Sequence, residues 1–121
     1  MTHHDSQNNP EMQQCIQMCQ ECHSICLQTV THCLHMGGMH AEAAHIVMLL
    51  DCAEICQTSA NFMLRGSDLH AEICRACAVV CERCAEDCER MGDDADMQRC
   101  AQICRRCAES CQRMAAMTMA A

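Results

Sequence analysis

Sixteen of the 121 residues are cysteine, and fourteen of them fall into seven pairs of the form Cys-x-x-x-Cys. The pairs are Cys15 with Cys19, Cys22 with Cys26, Cys52 with Cys56, Cys77 with Cys81, Cys84 with Cys88, Cys100 with Cys104, and Cys107 with Cys111; Cys33 and Cys74 complete the set. A thiol can pack as a small hydrophobe, form a disulfide, attack as a nucleophile or ligate a metal. The spacing separates these uses. Residues four apart on a helix have Cβ atoms about 5 to 6 Å apart, whereas a disulfide wants roughly 3.5 to 4.5 Å. No cysteine has the isolated Cys/His/Asx setting of a nucleophile, and no paired carboxylates stand out as acid and base, so the chain reads as a binding protein and not an enzyme. A metal held between two sulfurs suits successive helical turns, and the soft, low-coordinate ion that accepts such a pair is Cu(I). Packing alone explains single positions, Cys33 and Cys74 above all, but not sixteen, because a core of Cys gains less from burial than one of Leu.

Zinc is the main competitor, since steps of three such as Cys19 to Cys22 or Cys104 to Cys107 resemble halves of a zinc knuckle. Knuckles, however, place their sulfurs on a turn, and iron–sulfur cysteines lie on loops wrapped around a cluster; here the steps continue along helical stripes. Charge neutrality gives a second criterion. Each Cu(I) that displaces one thiol proton leaves a buried site neutral, so sixteen thiols match about sixteen Cu(I) but only about eight Zn(II). A capacity of that size means storage, because a chaperone or a catalytic site needs one or two metals and an open position. A zinc or cadmium buffer of metallothionein type and a thiol redox or iron–sulfur protein stay open as alternatives.

The elements that must position these thiols follow from the punctuation. Asn9-Pro10-Glu11 opens the first segment, and Met36-Gly37-Gly38-Met39, Arg65-Gly66-Ser67-Asp68 and Met91-Gly92-Asp93-Asp94 separate four segments rich in good helix formers. Pro10 suits a first helical position behind an Asn cap, while Ser67 or Asp68 and Asp93 or Asp94 are cap candidates for the later helices. The spacing predicts helices over about 10–36, 40–65, 68–91 and 94–115 after a flexible polar tail at 1–9. With short loops they make a single all-α domain, an antiparallel up-and-down four-helix bundle with a cysteine-lined core. In the first segment the Cys steps of 4, 3, 4 and 7 occupy one arc of about 60°. The third and fourth segments repeat that stripe. The second is poorer, with Cys52 and Cys56 expected on one face with His45, Met48, Ser59 and Met63.

Composition narrows the rest. Val, Ile, Leu and Phe together number only 17, and with a net charge of −8 such a shortage reads as disorder unless the cysteines fill the interior. All eight basic residues are Arg and the only aromatic residue is one Phe, which argues against a nucleic-acid surface. No export signal and no apolar run of 18 residues is visible, so the expectation is a cytosolic protein without a membrane span. In the cytosol thiols stay reduced, which favours metal ligation over disulfides. His3 or His4 falls third from the free amine, where it could chelate Cu(II).

The repeated Cys-x-x-x-Cys pairs on all four predicted helices, from about Pro10 to Met114, resemble the bacterial copper storage proteins, and this chain looks like their cytosolic branch. The resemblance implies a four-helix bundle holding many Cu(I) ions, mainly on two thiolates of one helix, in a homotetramer that admits metal at one end of each bundle. In an up-and-down bundle the first and third loops share an end. Possible entry ligands there are Met36, Met39, His40, Met91 and Met97, with His45 and Met48 a turn or two inside, handing the ion to Cys33, Cys52 and Cys88. Ile46, Val47 and Leu50 are expected to face away from the thiols and to offer a subunit contact.

Overall fold

The computed structural model describes residues 9–120, with side chains described through residue 117. The His3 and His4 chelate and the tail at 1–8 lie outside the described residues. Four helices follow in order: α1 Pro10–Met36, α2 Ala43–Leu64, α3 His70–Glu89 and α4 Ala95–Ala120, with a 3-10 turn at Gly38–Ala41 between the first two. Each helix packs against its neighbour in sequence and α4 closes back on α1, the up-and-down arrangement that short loops dictate. Among the described residues there is no strand.

The helix ends obey local chemistry. Asn9 caps α1, its Oδ1 accepting from the amides of Glu11 at 2.8 Å and Met12 at 3.3 Å, with Pro10 in the first turn. Asp94 caps α4 in the same way, accepting from Asp96 at 2.9 Å and Met97 at 3.2 Å. Gly37, at φ 70°, lets the chain leave α1, a conformation that side chains with a Cβ rarely adopt. Two expected starts shift. The segment predicted to begin at 40 first makes the 3-10 turn and enters α2 only at Ala43. In the second loop Ser67 accepts from the Leu69 amide at 3.0 Å, a turn that delays α3 to His70 instead of capping it at 68. In the other direction, α4 runs past the expected 115 to Ala120.

The interior is built from thiols, alanines and a few larger plugs. All sixteen cysteines are buried, none more than 1 % exposed. Ala53, Ala60, Ala78, Ala85, Ala101 and Ala108 flank the Cys seams, and small residues at these contacts let the helices approach closely. Met12, Met63 and Met114 are buried toward the end that carries the start of α1 and the second loop. Met91 and Met97 are buried toward the other.

Candidate metal centre

The Cys stripes of the four helices meet along the bundle axis. Across helices, Cys19 and Cys111 bring their Sγ atoms to 3.6 Å, Cys56 and Cys81 to 3.6 Å, Cys52 and Cys81 to 3.7 Å, and Cys22 and Cys104 to 3.8 Å. Within one helix, Cys22 and Cys26 stand 4.0 Å apart and Cys77 and Cys81 3.8 Å. The sulfurs therefore approach across helices at least as closely as along them.

They form a ladder of quartets whose sulfurs all lie within 4.8 Å of one another. Among these, starting from the end that carries the first and third loops, are Cys26, Cys84, Cys100 and Cys104; Cys22, Cys26, Cys52 and Cys104; Cys22, Cys52, Cys56 and Cys81; Cys56, Cys77, Cys81 and Cys107; and Cys19, Cys77, Cys107 and Cys111. Neighbouring quartets share members, so no quartet is a closed site. Cys15 extends the ladder beyond Cys111 at 3.7 Å. Cys88 lies beside Cys84 and Cys100 at the opposite end.

Chemistry at the two ends of the ladder is different. Cys33 Sγ lies 3.3 Å from His45 Nε2 and 3.4 Å from Met97 Sδ. His45 Nδ1 is 2.6 Å from Asp87 Oδ2, which leaves Nε2 as the acceptor for the Cys33 thiol. Burial, and after it the Asp94 carboxylate, pushes the Cys33 thiol up to about 11. At the far end Ser59 Oγ stands 3.4 Å from Cys74 Sγ, a hydroxyl in a thiol's place. In mid-ladder, thiols hydrogen-bonded to their neighbours, Cys56 first to Cys107 and Cys104 first to Cys100, are held well above the ordinary range, with burial adding to the effect. Protonated, uncharged thiols can stay buried until a cation replaces their protons.

The structure places the expected entry ligands unequally. His45, Met91 and Met97 are buried toward the end that carries the first and third loops. Met36 and Met39 point outward, 55 % and 46 % exposed. His40 Nε2 sits 3.0 Å from Asp94 Oδ2 and not on a sulfur. Met48 is a correction in part: it is only half-buried, packing against the edge of the core while lining an outer groove with Ala44, Arg83, Glu86, Asp87 and Arg90. Leu49 takes the interior position between His45 and Cys52. A second correction concerns Ile46, which packs partly against the core, leaving Val47 and Leu50 as the exposed pair. Sequence reasoning missed Leu49 and the Asp87 partner of His45. The first was ambiguous in the sequence, because Met48 and Leu49 stand four and three residues before Cys52 and both fit the helical period; the second carried no local signal.

A four-helix bundle with a thiol-lined interior defines a multi-ion metal store by class. The model of the copper storage protein family matches residues 8–116, and the chain belongs to that family. Its fold is similar to the Nmul_A1745 protein of Nitrosospira multiformis, with a TM-score of 0.84 and 46% identity, covering 88% of this chain and 96% of that one. It is also similar to Cu(I)-bound copper storage protein BsCsp3 of Bacillus subtilis, at TM-score 0.81 and 34% identity over 87% of this chain and 98% of the other. A cytosolic copper storage protein from Streptomyces lividans, carrying five coppers, matches at TM-score 0.76 and 27% identity over 92% of this chain and 95% of that one. No curated protein matches the chain.

Proposed function

We propose that this member of the family stores Cu(I) in the cytosol, as a homotetramer, with all sixteen cysteines as ligands. The observation that carries the reading is the ladder of overlapping quartets. Sixteen thiols divide into at most four separate four-thiolate sites, the arrangement structural zinc prefers, and the ladder is not divided. Bridging thiolates and two-coordinate ions can use every shared sulfur, which favours a soft monovalent metal. Membership of the family and the Cu(I)-bound relative support the same ion. The cytosolic relative supports the compartment.

Cu(I) enters at the end where Cys33, His45 and Met97 converge. Imidazole and thioether bind it more loosely than thiolate, so the ion passes to Cys33 and then by ligand exchange into the ladder. Each ion bound releases a thiol proton, and the interior stays neutral as it fills. The exposed Val47 and Leu50 support a subunit contact on α2. The test is an anaerobic titration of the reduced protein against a chromophoric Cu(I) chelator, with thiols counted in parallel and mass measured by light scattering. About one Cu(I) per thiol in a particle of four chains is expected. Saturation after one or two ions would overturn storage, and a monomer would overturn the tetramer alone.

A further inference from the structure

Outside the thiol ladder, at the same end of the bundle, two imidazoles and a carboxylate converge. His32 Nε2, from α1, lies 2.8 Å from Asp94 Oδ2, and His40 Nε2, from the 3-10 turn, lies 3.0 Å from the same oxygen. The two rings stand edge to face with centroids 5.9 Å apart. The other carboxylate oxygen of Asp94 is committed to the amides that start α4, which fixes the direction in which Oδ2 points. An independent feature is the far side of the His32 ring, whose Nδ1 is 3.0 Å from Asp96 Oδ2. An imidazole with one nitrogen on a carboxylate and the other turned into a cluster of donors is the arrangement by which proteins orient a metal-binding histidine. The side chains of His32, His40 and Asp94 are 24 %, 16 % and 12 % exposed, so the cluster is held by packing yet open to solvent on one side.

We propose that His32, His40 and Asp94 form a site for a divalent cation of the Zn(II) class, separate from the thiol ladder, with Asp96 as the positioning residue for His32. Two imidazole nitrogens and one carboxylate oxygen are a borderline-to-hard donor set, unlike the soft sulfurs inside, and they leave a fourth position for water. Ligands at about 2.0 to 2.2 Å from a tetrahedral ion stand about 3.3 Å apart, so the two spacings from histidine nitrogen to Asp94 Oδ2, 2.8 and 3.0 Å, have to open by a few tenths of an ångström. Binding replaces the Nε2–H bonds to Asp94 by Nε2–metal bonds, and any proton on those nitrogens leaves to solvent. The ion would tie α1, the 3-10 turn and the start of α4 together beside the mouth.

The test is a Zn(II) titration of the reduced full-length protein followed by NMR of the histidine ring nitrogens, which reads this site whatever the thiols do. The expected result is that the His32 and His40 rings shift together while His23, which bonds the Ala53 carbonyl at 2.7 Å, does not. Asp94→Asn, which keeps the capping oxygen, and His40→Gln should each raise the zinc concentration needed for the His32 shift by at least about tenfold, with the helical circular dichroism retained. Rings that stay unshifted up to saturating zinc would overturn the site. Shifts that survive both substitutions at unchanged zinc concentration would overturn it equally, because they would originate elsewhere.

Discussion

Replacing both thiols of α2, Cys52→Ala with Cys56→Ala, separates ligand from filler. Cys52 Sγ lies 3.7 to 3.9 Å from the sulfurs of Cys22, Cys81 and Cys104, and Cys56 Sγ 3.6 to 3.8 Å from those of Cys77, Cys81 and Cys107. Each substitution removes one sulfur from a fully buried position. The lost transfer energy is about 0.8 kcal/mol, with a cavity term of similar size, so the pair costs about 3 kcal/mol of apo stability. For a chain of this length that lowers Tm by about 10 °C. Cu(I) capacity should fall by about two ions, one per thiol removed. Leu49→Ala provides the opposite control: it empties an interior position of the same helix, costs about 2 to 5 kcal/mol and removes no ligand, so capacity should hold. Thermal unfolding of the apo proteins and chelator-competition titrations measure the two quantities side by side. An unchanged capacity in the double variant, or an equal loss of capacity in Leu49→Ala, would refute the assignment of the ladder sulfurs as ligands.

Other perturbations test the same reasoning at single points. Ser59→Cys puts a seventeenth thiol beside Cys74, replacing a hydroxyl that stands 3.4 Å from its sulfur, and should raise Cu(I) capacity by about one with stability changed by less than about 1 kcal/mol. The reduced metal-free protein should keep its helical circular dichroism, because neutral thiols already form the buried core; a metallothionein-like chain would lose it. Glu89→Gln removes the exposed pair in which Arg105 donates at 2.8 and 3.1 Å. It should cost less than about 1 kcal/mol in urea unfolding and leave copper capacity alone. Arg105 holds the Glu89 carboxyl below its ordinary value of 4.5, so whatever the pair contributes is present above that pH and fades as pH falls through the lowered value.

Much of the bundle was legible because cysteine marks the interior with a period that needs no propensity scale. Steps of three and four on α1, α3 and α4 fix one face each, and every cysteine lies on it. On α2 the two thiols are too few to fix the face: counting back from Cys52, both Met48 and Leu49 satisfy the helical period. Packing decides, because His45 must reach both Cys33 and Asp87, and that rotation turns Leu49 inward and Met48 toward the groove. Glycine announced where helices stop, yet the starts of α2 and α3 moved because the chain spends residues on a 3-10 turn and on a serine-stabilised turn first. The bonds of His32 and His40 to Asp94 join positions 62 and 54 residues apart. No periodicity carries such a pair; only the shared end of the first and third loops brings it together.

The overlap of the quartets has a consequence for how the ladder fills. If each ion took four private sulfurs, filling one quartet would disable its neighbours, since Cys22, Cys52 and Cys81 each serve more than one near contact. Two-coordinate ions avoid that conflict, and each thiolate that has bound one ion can bridge to the next. The favourable term therefore grows along the ladder instead of being exhausted site by site. Electrostatics points the same way, because a divalent ion on four thiolates leaves two negative charges in the dry interior, whereas one monovalent ion per thiolate leaves none. An unpaired thiolate in the dry interior is costly, so the empty ladder is most stable with its thiols protonated, and one monovalent ion per thiolate leaves the full ladder neutral as well; the same packed bundle can accommodate either.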